Sequence, residues 1–131
     1  MSDEYPSDLL YTKDHEWTRV TGDRVVVGIT RFAVDQLGDV TQVEVPEEGD
    51  EVSREQAFGT VESVKSVSDL FAPVSGKVVR VNAALEDDPE LVNADPYGDG
   101  WMVEIELSDR SELDQLMTPD AYTALIAEHD G

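Results

Sequence analysis

The chain has 131 residues, 30 acidic against nine basic side chains, a formal net charge of −21 and no cysteine. Its length is that of one domain, the lack of cysteine excludes disulfides and thiolate sites, and an acidic surface repels nucleic acid and anionic lipid. The start MSDEYPSDLL lacks an apolar signal core, and no apolar run approaches the ~18 residues that span a membrane, so we expect a soluble cytoplasmic monomer.

The first third of the chain predicts strands and one short helix. Alternation in YTKDHEWTRVTGDRVVVGIT indicates two strands joined by a turn at Gly22 and Asp23. In TRFAVDQLGD, Thr30 is suited to be an N-cap and Gly38 a C′ residue, which predicts a helix between them. VTQVEV then predicts a strand that leaves into a turn at PEEGD.

Short strands continue through AFGTVESVKSVSDLFAPVSGKVVRVN, with predicted breaks at Gly59, Pro73 and Gly76. LEDDPELVNADPYGDG predicts a loop with at most one helical turn, and GWMVEIELSD predicts a strand. Helical spacing follows. Ser111 is a candidate cap for ELDQLM, and Thr118 before a proline is a candidate opening for PDAYTALIAEHD. The apolar stripe of that last helix is Tyr122, Leu125 and Ile126.

Many short strands with turn signals every 8 to 12 residues favour a mainly β fold, a sandwich or barrel. Short helices flank the strands, and the C-terminus is helical. Because no linker divides the sequence, we predict one domain over 1–131. Its strand-rich core lies at about 9–108 and its C-terminal helices at about 111–129.

The stretch ESVKSVSD contains Lys65, one of three lysines. The residues before and after it have similar patterns, which predicts a hairpin with the lysine at its tip. A lysine there is open to an enzyme that forms an amide on its amine. The alternative is an ordinary exposed lysine on a strand edge. A Schiff-base role is disfavoured because Glu62 and Asp69 would keep the amine charged.

Other catalytic patterns are absent from the sequence. His15 and His129 are far apart and have no zinc-ligand spacing. There is no GxSxG, and YGDGW lacks the GxGxxG frame, so it indicates a turn before a strand. We therefore expect a protein without a catalytic set of its own.

Several blocks in order resemble one family. From about Tyr11 to Trp101 they are YTKDHEW, VGIT followed by AVDQLGD, VEVPEEGD, GTVESVKSVSD, APVSGKVVRVN and LVNADPYGDGW. This series is similar to the H proteins of the glycine cleavage system, which carry lipoate. The resemblance implies a barrel-sandwich hybrid of the lipoyl-domain type, with lipoate joined by an amide to Lys65.

The resemblance also implies partners. A glycine decarboxylase would pass an aminomethyl group to the lipoyl sulfur, an aminomethyltransferase would remove it, and dihydrolipoamide dehydrogenase would reoxidise the dithiol. A lipoate-attaching enzyme would modify Lys65. The carried amine would be stabilised by a carboxylate near a cleft, for which Glu16 and Asp69 are candidates. The alternative is that these two residues serve only the strand and the turn that contain them.

Other carriers remain as alternatives. A lipoyl acceptor of a 2-oxo acid dehydrogenase shares the hairpin lysine, but it usually belongs to a longer chain with a linker. A biotin carrier would have methionine on both sides of the lysine, where Val64 and Ser66 stand. A lipoate-relay protein and a binding module with an unmodified lysine are also compatible with the sequence.

The charge departs from the family pattern. Acidic residues are spread from Asp3 to Asp130 without a long block, and arginine outnumbers lysine six to three. A strongly basic partner is one explanation. High salt is the other, because the Debye length falls to ~3 Å at 1 M and screens self-repulsion. The spread of the acids favours a halophilic source.

The salt hypothesis predicts that the fold is more stable in concentrated KCl. Repulsion among 30 acidic residues opposes compaction, and screening relieves it. Thermal unfolding followed from low to molar KCl should give a midpoint that rises with salt. A midpoint that stays flat or falls would contradict the hypothesis.

Overall fold

The computed structural model describes residues 8–130, with side chains for residues 8–126. The strands are β1 (Leu10–Tyr11), β2 (Glu16–Thr21), β3 (Arg24–Ile29), β4 (Val40–Glu44), β5 (Glu51–Val52), β6 (Ala57–Ser63), β7 (Val67–Phe71), β8 (Gly76–Val81) and β9 (Val103–Leu107). The helices are α1 (Arg31–Leu37), α2 (Ala84–Asp87), α3 (Leu91–Ala94), a 3₁₀ helix (Arg110–Gln115) and α4 (Pro119–Asp130). The predicted mainly β fold with short helices and a helical C-terminus is confirmed.

Two antiparallel sheets share one core. The larger has the strand order β1-β2-β3-β9-β8-β5, and the smaller has the order β4-β6-β7. Ile29 of the larger sheet belongs to the same buried cluster as Val40, Val61 and Leu70 of the smaller one. Alternating strand residues therefore bury their apolar faces between the sheets, as in a sandwich.

The local signals read from the first third of the chain are confirmed. β2 and β3 pair around Gly22, whose φ of 62° suits the tight turn. Thr30 caps α1, since its side chain accepts a hydrogen bond from the backbone of Ala33. Gly38, with a φ of 78°, ends the helix and donates its N–H to the carbonyl of Val34 at 2.9 Å.

Two predicted breaks at glycine are wrong. Gly59 lies inside β6, where the register with β7 shifts, and Gly76 is the first residue of β8. A Cβ at either glycine would collide with a backbone carbonyl, that of Glu44 or that of Glu106. Both glycines therefore permit a close approach of neighbouring backbone and do not end a strand. The break at Pro73 is confirmed, because it lies between β7 and β8.

Two helical predictions also need correction. The segment before β9, expected to hold at most one helical turn, forms both α2 and α3. The turn after β9 is a 3₁₀ helix capped by Asp109, whose carboxylate accepts from the backbone of Ser111, so Ser111 is not the cap. Short polar segments have weak helical periodicity, and their turns are decided by packing rather than by propensity.

The C-terminal helix α4 packs on the start of the larger sheet. Tyr122 and Ile126 are buried with Leu9, Tyr11 and Trp17 in one cluster. The rings of Tyr122 and Tyr11 stack with centroids 4.7 Å apart. The apolar stripe predicted for this helix therefore forms the contact that holds it to β1 and β2.

The prediction of a single domain over residues 1–131 stays a prediction. His129 belongs to α4, and its side chain lies outside the described residues. Between residues 8 and 130, no helix is both long enough and apolar enough to cross a membrane.

Candidate functional site

Lys65 lies at the tip of the hairpin formed by β6 and β7. The strands pair up to Glu62 and Val67, and the backbone N–H of Ser63 closes the turn on the carbonyl of Ser66 at 2.8 Å. The Ser63 hydroxyl oxygen also accepts from the backbone of Lys65 at 3.3 Å and of Ser66 at 3.1 Å. One serine thus organises the turn and leaves the lysine side chain exposed.

Two valines flank the tip in an exposed position. Val64 is 68% exposed and Val67 is 61% exposed, and they are the exposed large hydrophobic residues of the described chain. A single exposed apolar side chain is common, whereas a pair beside an exposed amine forms a small apolar contact surface.

A cavity of about 760 Å³ lies beside the hairpin. Its walls are residues 13–15 with the first residue of β2, one face of α1, and residues of β6 and β7. Its lining includes His15, Glu16, Phe32, Leu37, Asp69 and Leu70. Both sequence candidates, Glu16 and Asp69, line this cavity; Lys65 does not, although its neighbour Ser66 does.

Glu16 is a buried carboxyl on the cavity wall, with 1% of its surface exposed. One oxygen accepts from the backbone of Phe71 at 3.0 Å, and the other accepts from the hydroxyl of Thr12 at 2.8 Å. Burial raises the pKa of Glu16 to about 8, because both donors favour the charged form too weakly to offset the loss of water. At neutral pH this carboxyl is therefore mainly protonated.

Asp69, unlike Glu16, is exposed to solvent. It lies in β7, opposite Thr60 of β6, and its side chain is exposed at the cavity. The turn position considered for it from the sequence is wrong, because it is a strand residue. The cavity thus has the buried carboxyl of Glu16 and the exposed carboxyl of Asp69 on its walls, together with Asp14 and Lys13 and several apolar residues.

Sequence reasoning missed a network that reaches the cavity from α4. The Tyr122 hydroxyl lies 2.8 Å from His15 Nδ1 and 2.7 Å from the hydroxyl of Thr30. His15 has a φ of 69°, and its ring packs against Phe32 at 4.7 Å between centroids. A buried tyrosine hydroxyl needs a hydrogen-bond partner, so Tyr122 in the apolar stripe of a helix was a signal for such a network. The sequence could not identify the partners, because they lie 107 and 92 residues away.

Comparisons with known proteins agree with one another. The family model described as glycine cleavage H-protein matches residues 9–129. The chain is 57% identical over 122 residues to a probable glycine cleavage system H protein of Haloarcula marismortui, covering 93% of this chain and 96% of the relative. It is 58% identical over 123 residues to a glycine cleavage system H protein of Symbiobacterium thermophilum, covering 94% and 96%.

A solved structure is similar over the same length. The crystal structure of a glycine cleavage system H protein from Mycobacterium marinum superposes with a TM-score of 0.84 at 42% sequence identity. It covers 93% of this chain and 98% of that one.

The buried carboxyl predicts a pH dependence of stability that Glu16→Gln removes. The folded-state pKa of about 8 lies above the ordinary value of 4.5, so the folded state binds the proton more tightly. The stability from protonated Glu16 is complete below the unfolded pKa and is lost as the pH rises to the folded pKa. Between the ordinary pKa and the folded-state pKa, the free energy of unfolding of wild type should fall by on the order of a few kcal/mol relative to that of Glu16→Gln. Denaturant unfolding at constant KCl measures this difference.

The matched control is Asp69→Asn, which removes an exposed carboxyl from the same cavity. Because this variant keeps the buried Glu16, it should still lose stability as the pH rises across the same range. Parallel curves for wild type and Glu16→Gln would contradict the predicted ionisation of the buried carboxyl.

Proposed function

The chain belongs to the glycine cleavage H-protein family and is a lipoyl carrier of glycine cleavage, and we propose that Lys65 is the residue to which lipoate is joined by an amide. The observation that supports this assignment is the position of Lys65 at an exposed hairpin tip held by Ser63. An exposed amine on a rigid turn can enter the active site of an attaching enzyme without unfolding its carrier.

The residues around the tip fit a lipoyl group. The cavity of about 760 Å³ begins at Ser66, next to Lys65, and its walls include the apolar residues Phe32, Leu37 and Leu70. When attached, lipoate supplies a sulfur that accepts and releases an aminomethyl group. The chain itself supplies the tether, the apolar side chains of the cavity and the candidate carboxyls Glu16 and Asp69, and it is a non-catalytic carrier subunit.

The proposed partners follow from the family. They are glycine decarboxylase, the aminomethyltransferase, dihydrolipoamide dehydrogenase and a lipoate-attaching enzyme. A flexible arm on Lys65 presents its end to a bound enzyme at an effective concentration of the order of mM. Visits to several enzymes in turn suit a monomeric carrier in the cytoplasm, with residues 1–131 forming one lipoyl-carrier domain.

Glu16 and Asp69 are proposed to hold the carried amine in the cavity. Asp69 is exposed and attracts a cation at the cavity surface. Glu16 is buried, and an ammonium group beside it would favour its ionised form and lower the pKa from about 8. The resulting ion pair would form beside the apolar side chains of Phe32, Leu37 and Leu70, which would shield a labile aminomethyl group from water.

The experiment that tests the function measures exchange of the glycine carboxyl carbon with labelled bicarbonate. At high salt, with a matching glycine decarboxylase, the lipoylated chain should support exchange and the unlipoylated chain little or none. Peptide mass spectrometry should find lipoate on Lys65, and Lys65→Arg should abolish both lipoylation and exchange. An adduct on Lys13 or Lys77 would overturn the assignment of the residue.

The same lipoylated sample distinguishes the alternative carriers. Reductive acylation by a pyruvate or 2-oxoglutarate dehydrogenase, without glycine exchange, would indicate a 2-oxo acid dehydrogenase acceptor. Activity in neither system, together with efficient donation of lipoate to other acceptors, would indicate a relay protein. An unmodified mass after expression in a lipoate-competent host would favour a binding module.

The rate at which the aminomethyl group is released tests the two candidate carboxyls, Glu16 and Asp69. With the arm loaded and no folate enzyme present, Glu16→Gln and Asp69→Asn should release formaldehyde and ammonia roughly tenfold faster than wild type, since a hydrogen bond to a charged group is worth ~1.5–3 kcal/mol. Asp35→Asn is the control, because Asp35 is an exposed acid of α1 outside the cavity lining. Equal release from all four proteins would remove the carboxyls from the mechanism.

A further inference from the structure

The stem of Lys65 lies across Gly38, the residue that ends α1. A Cβ built on Gly38 would stand 3.1 Å from Cε of Lys65 and 3.7 Å from its Nζ. Gly38 has φ 78° and ψ −150°, a combination that is open to glycine and costly for other residues. A side chain at this position would therefore touch the lysine stem and also strain the backbone.

A second contact joins the same turn to the hairpin tip. The backbone N–H of Val64 donates to the carbonyl of Asp39 at 3.1 Å. One residue further along each segment, Val40 of β4 pairs with Ser63 of β6 in the smaller sheet. Successive residues of the turn 38–40 therefore hold successive residues of the tip, and the position of Lys65 depends on the position of this turn.

Asn93 of α3 fixes that turn with both ends of its side-chain amide. Its Nδ2 donates to the carbonyl of Gly38 at 2.8 Å, and its Oδ1 accepts from the backbone N–H of Val40 at 2.8 Å. A carboxamide can donate and accept at once, whereas a carboxylate can only accept. The amide thus bridges the two peptide groups on either side of Asp39.

The backbone of Asn93 is tied to α1 as well. Its carbonyl accepts from Nη1 of Arg31 at 2.9 Å, so the first residue of α1 and the turn after α1 are both bound to the same residue of α3. Hydrogen bonds at both ends of a short helix restrict its movement as a unit. Asn93 therefore holds the turn through several hydrogen bonds and not through a single one.

We propose that Asn93 is a positioning residue for Lys65. By fixing the Gly38–Val40 turn, it sets the place and direction in which the lysine amine is presented. A fixed turn leaves less backbone conformational entropy to be lost when an enzyme encloses the amine, which speeds the reaction on it. The proposal rests on Lys65 as the attachment site, and it gives Asn93 of the LVNADPYGDGW block a role that the carrier function alone does not assign.

The test compares Asn93→Asp with Asn82→Asp in the full chain. Asn93→Asp keeps the acceptor for Val40 and removes the donor to Gly38. Asn82 is the matched control, a half-buried asparagine whose Nδ2 donates to the carbonyls of Asp99 and Trp101, both at 2.7 Å. Each change therefore replaces an amide that bonds to backbone carbonyls by a carboxylate of the same shape.

The first measurement is hydrogen exchange at the Val64 amide, which needs no lipoate. Asn93→Asp should speed this exchange about fivefold or more, since loss of a hydrogen bond loosens the turn by about that factor. Asn82→Asp should also lower the global stability of the chain, but it should leave the exchange rate of the Val64 amide as in wild type. Unchanged exchange in Asn93→Asp, or an equal increase in both variants, would overturn the proposal.

The second measurement is the rate of lipoate attachment. Asn93→Asp should lower kcat with little change in the KM for the carrier, while Asn82→Asp behaves as wild type. Normal kinetics in Asn93→Asp on an otherwise competent lysine would also overturn the proposal. If wild-type Lys65 accepts no lipoate, the proposed function fails, and hydrogen exchange still decides whether Asn93 positions the tip.

A second pair of variants keeps the test decisive if Asn93→Asp does not fold. Gly38→Ala places a methyl group 3.1 Å from Cε of Lys65, whereas a Cβ at Gly49, with a φ of 96°, meets nothing within 4 Å. Both changes introduce backbone strain at positive φ. Attachment to Lys65 should slow in Gly38→Ala and not in Gly49→Ala, and equal rates in the two would contradict the role of the turn.

Discussion

The hydrogen bond from the backbone of Phe71 to the buried carboxyl of Glu16 joins the two sheets at the cavity. Glu16 begins β2 of the larger sheet, and Phe71 ends β7 of the smaller one. A buried carboxyl is costly unless it is hydrogen-bonded, and here both donors are neutral groups, Phe71 and Thr12. A hydrophobic residue in its place would leave the backbone N–H of Phe71 without this acceptor. A buried carboxyl with a strongly raised pKa beside a cavity is also typical of functional sites.

Helix α1 connects the remaining parts of the site. Its first turn is capped by Thr30, whose hydroxyl meets Tyr122 of α4, and its last turn ends at Gly38 under the stem of Lys65. Between these ends, Phe32 and Leu37 form one wall of the cavity. A helix of seven residues is not stable alone, so its position depends on these tertiary contacts. The C-terminal helix, the cavity and the lysine are thereby parts of one packed unit.

The ion pairs of the structure do not explain how so acidic a chain stays folded. Lys13 with Glu55 at 2.9 Å and Arg110 with Asp23 at 2.9 Å are both exposed pairs. Exposed pairs contribute about 0–1 kcal/mol each, and salt screens them further. Nine basic residues cannot pair with 30 acidic ones, so the hypothesis that surrounding salt relieves the repulsion stays a prediction.

The sequence by itself determined the elements whose signals lie within a few residues. The β2–β3 turn at Gly22, the cap at Thr30, the helix end at Gly38 and the hairpin around Lys65 are all local, because period, capping and turn chemistry act over short distances. Only the tertiary structure decided that Glu16 is buried against Phe71, and that Asn93 supports the turn under Lys65 from 55 residues away. Such pairings follow from how the sheets and helices pack together. A long-range contact leaves no periodic trace in the sequence, and the same glutamate or asparagine pattern is compatible with a solvated surface until the fold brings its partner into contact.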